Sequence, residues 1–104
     1  MSEQVEARAF RGTRKKSVYR AYPFDHRNLV RIAGAGQASG LAAVAALTTL
    51  PHELDKDDAG RLATELSELR RSGTLLDLDH DLIALAELAR FCARARSGAW
   101  LTVS

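Results

Sequence analysis

The run Val5-Glu6-Ala7-Arg8-Ala9-Phe10-Arg11-Gly12-Thr13-Arg14-Lys15-Lys16-Ser17-Val18-Tyr19-Arg20-Ala21-Tyr22 decides how this 104-residue chain is read. Val5, Ala7 and Ala9 alternate with Glu6, Arg8 and Phe10, the period of two expected of a half-buried strand. Arg11 to Lys16 is polar and contains Gly12, so it reads as the turn of a hairpin. Ser17 to Tyr22 then forms the second strand, with Val18, Arg20 and Tyr22 on one face and Tyr19 and Ala21 on the other. Pro23 is expected to end it, because proline cannot donate to a ladder. A third short apolar stretch, Leu29 to Ala33, reads as another strand.

Outward from the hairpin the period changes. Gln37 to Leu50 is rich in alanine, nearly free of charge, and carries Leu41, Val44 and Leu47 at helical spacing; it is predicted as a largely buried helix stopped by Pro51. A second helix is signed at both ends. Asp55 can cap it, Asp57 and Asp58 load its first turn, Arg70 and Arg71 its last, and Gly73 stops it. Leu62, Leu66 and Leu69 supply its apolar stripe. A third helix is predicted from about Asp77 or Asp79 to Ser97, with Gly98 as its stop and Leu78, Leu82, Leu85, Ala89 and Cys92 facing the core. Ala99 to Val103 has the composition of a last strand. The fold class is therefore α+β: a small, mostly antiparallel sheet, made of the N-terminal hairpin and the C-terminal strand, packed against three helices.

Length and composition agree with a single domain over residues 1–104. Hydrophobic residues make up 46% of the chain and charged residues 27%, an ordinary globular mixture with enough apolar surface for one modest core. Residues 32–51 form the longest stretch of low charge, yet their Ala, Gly and Thr content is too weakly hydrophobic for a membrane span. No signal or transit peptide is read at the start. A lone cysteine, Cys92, cannot make an internal disulfide, and a reducing cytoplasm is the expected location. Arginine outnumbers lysine twelve to three, a codon-level association with GC-rich bacterial genomes.

The net charge of +2 conceals a division. Residues 1–35 hold eight basic and three acidic side chains, whereas residues 36–104 hold seven basic and ten acidic. Two faces of opposite potential are the expected result. The basic side is concentrated in Arg11, Arg14, Lys15, Lys16 and Arg20, with Tyr19 among them. Cations interleaved with aromatics on a hairpin can engage an anionic protein surface or track the phosphates of a nucleic acid. On the acidic side, Asp55, Asp57 and Asp58 lie together at a helix start, where they can also mask a basic surface of a partner.

Three further patterns bear on chemistry. Gly34, Gly36 and Gly40, between the expected strand and the expected helix, form a candidate anion-binding loop, although the acidic residue that completes a dinucleotide site is missing. His26, His52 and His80 are not at metal-ligand spacing, and one cysteine cannot build a thiolate zinc site, so no metal or cofactor is expected. Asp25-His26-Arg27 is a polar loop without a nucleophile beside it, and Cys92 falls on an apolar stripe. The sequence is read as a non-catalytic module that binds a protein partner, regulatory or inhibitory in kind, such as an immunity protein. The alternative is nucleic-acid binding through the Arg11–Arg20 hairpin.

Overall fold

The computed structural model describes residues 4–12, 17–49, 52–95 and 99–103. It is a small α+β fold in which a four-stranded antiparallel sheet carries its helices on one face. Strands β1 (Gln4–Arg11) and β2 (Ser17–Asp25) form the hairpin. They are followed by α1 (His26–Ala38), the short α2 (Ala42–Ala45) with a 3-10 turn at Ala46–Thr48, and β3 (His52–Leu54). Helix α3 (Lys56–Ser72), a 3-10 turn at Leu76–Leu78, α4 (Asp79–Arg94) and β4 (Ala99–Val103) complete the order. The sheet runs β2-β1-β4-β3, so the last strand inserts between the hairpin and β3.

The alternation in β1 operates as expected. Val5, Ala7 and Ala9 are buried beneath the helices, while Glu6 and Arg8 pair with each other on the open face. The small side chains of Ala7 and Ala9 let α4 lie close to the sheet. The predicted stripe of Leu78, in the turn before α4, and Leu82, Leu85, Ala89 and Cys92 in α4 is buried. In α3 it is Leu62, Leu66 and Leu69, joined by Ala59 and Ala63. Asp55 accepts the Asp58 N–H at 2.9 Å as the cap of α3, and Gly73 closes that helix in the left-handed region at φ +69°. Among the described residues no polar or charged side chain is buried, so one apolar core carries the packing.

Several expectations are corrected. Leu29 to Ala33 is not a strand but the middle of α1: Leu29, Ile32, Ala33 and Gly36 are buried at the i, i+3, i+4, i+7 spacing of a helix. The polar Asp25-His26-Arg27 segment is the helix start, where the Asp25 carboxylate accepts the Arg27 N–H at 2.9 Å and pairs with its guanidinium at 3.1 Å. Strand β2 also continues through Pro23 to Asp25. It is an edge strand, and one of its sides has no neighbour for a missing N–H to disappoint. Finally, α4 ends at Arg94, since Ala95 is already extended; Ser97 and Gly98 lie outside the described residues.

A further correction concerns the glycines. Gly34 and Gly36 lie within α1, near its C-terminal end, so the strand-to-helix loop on which an anion site was expected does not exist. The helix predicted from Gln37 is broken at Ser39-Gly40-Leu41, and only residues 42–48 of it form a second helical segment. Gly40, at φ +73°, closes α1 in a Schellman motif: its N–H donates to Gln37 at 3.2 Å, and the Leu41 N–H donates to Gly36 at 2.7 Å. Gly36 has a different task. A Cβ there would stand 2.4 Å from Val44 Cγ1 and 3.1 Å from the Ala45 nitrogen, so only glycine lets α2 press against α1. Glu65 of α3 supplies the cap that α2 lacks, accepting the N–H groups of Ala43 and Val44 at 2.9 and 3.2 Å.

Candidate functional site

A bulge in the hairpin builds the site. Ala9 pairs with Arg20 and Phe10 with Val18, which leaves Tyr19 as an extra residue in β2. Strict alternation would send Tyr19 and Arg20 to opposite faces, as the sequence suggested. The bulge instead turns both toward α4. There the Tyr19 ring stacks on Phe91, with centroids 3.8 Å apart and planes within 5°. The Arg20 guanidinium reaches Glu87 at 3.5 Å.

Aromatic carbons touch at about 3.5–4.0 Å, so a 3.8 Å centroid separation puts these nearly parallel rings in van der Waals contact. The electron-rich ring of Tyr19 also attracts positive charge, and here it is present. The Arg11 guanidinium carbon lies 5.0 Å from the Tyr19 centroid and that of Arg20 lies 5.7 Å away. The aromatic pair thus serves as a platform that holds two guanidiniums.

Helix α4 contributes the other wall. Glu87, Arg90, Phe91 and Arg94 recur at i, i+3, i+4 and i+7, which places them along one helix face. Together with Tyr19 and Arg20 they line an open groove of about 510 Å³. Arg90 touches Ser67 Oγ at 3.4 Å, a weak bond, and Arg94 in the last turn offsets the negative end of the helix dipole. Three arginines and one glutamate line the groove, and Arg11 stands beside it over the Tyr19 ring. An array of guanidiniums along a shallow trough is suited to binding carboxylates or phosphates in pairs of N–H···O bonds.

The expected basic residues fare differently. Arg11, Tyr19 and Arg20 come together at the groove, whereas Arg14, Lys15 and Lys16 lie outside the described residues. Phe91, Arg90 and Arg94 were missed by the sequence reading. Their helical spacing was visible, but Phe91 sits on the shoulder of the apolar stripe and nothing local paired it with Tyr19.

Charge elsewhere is largely neutralised. Asp77 accepts two bonds from Arg31, at 2.6 and 3.2 Å, and Asp79 pairs with Arg70 at 2.9 Å. These hydrogen bonds hold both carboxyls below their ordinary pKa. Asp81 is held by Tyr22 Oη at 3.1 Å and Asn28 Nδ2 at 3.2 Å; burial and this bond push the Tyr22 phenol above its ordinary pKa. Asp55, Asp57 and Asp58 remain exposed on the first turn of α3, which follows the opposite sheet edge, β3. A smaller cavity of about 300 Å³ lies beside them, lined by His52, Asp58, Arg61 and Glu65, but the Glu65 carboxylate is engaged in capping α2. Among the described residues no three His, Cys, Asp or Glu side chains converge as metal ligands. Cys92 is buried in the core, and that burial pushes its thiol up to about 11. Among the described residues no helix is long and apolar enough to cross a membrane.

No family model matches this sequence, no curated protein is significantly similar to it, and no solved structure matches the fold. What the fold and groove define is a class: a small α+β protein with an arginine-rich, aromatic-backed trough.

Proposed function

We propose that this protein is a non-catalytic binding module that docks an acidic segment of a protein partner in the groove between β2 and α4. One observation carries the reading: Tyr19, turned inward by the bulge, stacks on Phe91 and holds Arg11 and Arg20 beside Arg90 and Arg94. Guanidiniums ordered in this way lose less freedom on binding than free surface arginines do, and their forks match carboxylates. The buried, unreactive thiol of Cys92 and the capping duties of Asp25 and Glu65 favour binding over catalysis. The divided charge would also speed encounter with an acidic surface.

Nucleic acid is the second reading, favoured by Arg14, Lys15 and Lys16, which follow Arg11 in the chain and precede Tyr19. The state of the rings weighs against it. Phe91 stacks on one face of Tyr19 and the Arg11 guanidinium lies 5.0 Å from the ring centre, so a base could stack on that ring only by competing with both.

The test compares wild type with an Arg11→Ala/Arg94→Ala variant. A protein partner recovered by wild type and lost by the folded variant is expected. If instead both bind the same proteins, or a random single-stranded oligonucleotide binds wild type with a steep salt slope and loses the variant, the protein-docking reading fails.

A further inference from the structure

We propose that Glu87 is an internal occupant of the groove: its carboxylate engages Arg20 in the unbound protein, yields to a partner carboxylate, and thereby sets the affinity of the site. The inference rests on reading the groove as the docking site for an acidic segment.

Glu87 is the one acid among the described residues that line the groove, and it stands one turn from Phe91 and three residues from Arg90. Its Oε2 lies 3.5 Å from Arg20 Nη1, at the long limit of a hydrogen bond, and the two side chains are 53% and 59% exposed. An ion pair so long and so wet is worth little to the fold. Other acids of this protein behave differently. Asp77 holds Arg31 at 2.6 Å, and Asp79 holds Arg70 at 2.9 Å. Glu87 alone is loosely held inside a trough whose other charges are all positive. An incoming carboxylate must displace it from Arg20 and then tolerate it as a like charge nearby. The cost is small for a partner with spaced acids and accumulates for one with a dense run of anions.

A labelled decamer of glutamate serves as probe, titrated at low ionic strength against wild type, Glu87→Gln, Arg20→Ala and the double variant. Glu68→Gln, which removes the same charge from an exposed residue of α3 that does not line the groove, is the control. Glu87→Gln is expected to tighten binding about 1.4- to five-fold, the range spanned by exposed ion pairs. The gain should shrink in the Arg20→Ala background, where only the like-charge cost remains, and be absent from Glu68→Gln. Unchanged or weaker binding by Glu87→Gln overturns the proposal. So does an equal gain in the Arg20→Ala background or in the control, which would mark a general charge effect. An Arg90→Ala/Arg94→Ala variant separates the two failures. If wild type ignores the decamer, or this variant binds it as well as wild type, the groove reading itself falls. If wild type binds, this variant weakens binding and Glu87→Gln changes nothing, only the role of Glu87 falls. An oligothymidylate decamer that binds more tightly than the glutamate decamer returns the site to nucleic acid and overturns both.

Discussion

Tyr19 and Phe91 meet face to face across β2 and α4, 72 positions apart in sequence, because one extra residue in the hairpin turns the tyrosine inward. The contact joins the edge of the sheet to the last turns of α4, so it bears on stability as well as on the groove. Replacing Phe91 with alanine is expected to cost about 1–2 kcal/mol by loss of part-buried area and stacking. A double-mutant cycle with Tyr19→Ala, read by urea unfolding, should return a coupling of about 0.5–1.5 kcal/mol. Strict additivity would show that the rings touch without stabilising one another.

Gly36 and Gly34 lie two residues apart in α1, and alanine should act on them with opposite sign. At Gly36 the new methyl collides with Val44, and overpacking of this kind costs about 1–3 kcal/mol. At Gly34 nothing stands within 4 Å of the new methyl, and removing a helical glycine should stabilise by about 0.5–1 kcal/mol. Thermal melts of the two variants settle it; a stabilised Gly36→Ala would contradict the close contact of α1 with α2.

The Cys92 thiol should be inert in the folded protein. It lies in the core, and burial raises it to about 11. At pH 8 a chromogenic disulfide reagent is expected to react only as fast as the protein opens, and at once in denaturant. A group whose folded pKa is raised contributes stability below its unfolded value, and that contribution is lost as pH climbs through the folded one. Stability should therefore fall on the alkaline side toward pH 11 and less steeply in Cys92→Ala. Rapid labelling of native protein would place the thiol at the surface.

Asp77 and Asp79 govern the acid side. Hydrogen bonds from Arg31 and Arg70 depress both carboxyls, so their contribution is present above the unfolded pKa and disappears as pH falls through the folded values. An Asp77→Asn/Asp79→Asn variant should be less stable than wild type at neutral pH. The difference should close as the pH drops below about 4, where the wild-type carboxylates take up protons. Both pairs are exposed, so added salt should shrink the neutral-pH difference as well. A gap that persists at low pH would assign the effect to something other than ionised carboxylates.

Much of this architecture was legible where one signal dominated a segment. The alternation from Val5 to Ala9, the capped leucine stripe of α3 and the broader stripe of α4 each follow from local period, and each folds as read. Leu29 to Ala33 was ambiguous for a physical reason: its four apolar positions around Arg31 fit a strand by composition and a helix by spacing. The cap at Asp25 and the next buried position at Gly36 were needed to choose. Strand β3 spans three residues, too few to show any period, and exists because β4 returns to pair with it.

By itself, the sequence determined the class of fold, the apolar stripes of α3 and α4 and the concentration of arginine near the hairpin, since each depends on neighbours within a turn or two of chain. Tertiary structure alone decided that Gly36 admits Val44, that Glu65 caps a helix it does not belong to, and that Tyr19 faces Phe91 rather than the open side of the sheet. These are contacts between segments far apart along the chain, and a single inserted residue in a strand redirects a side chain without leaving a mark in its composition.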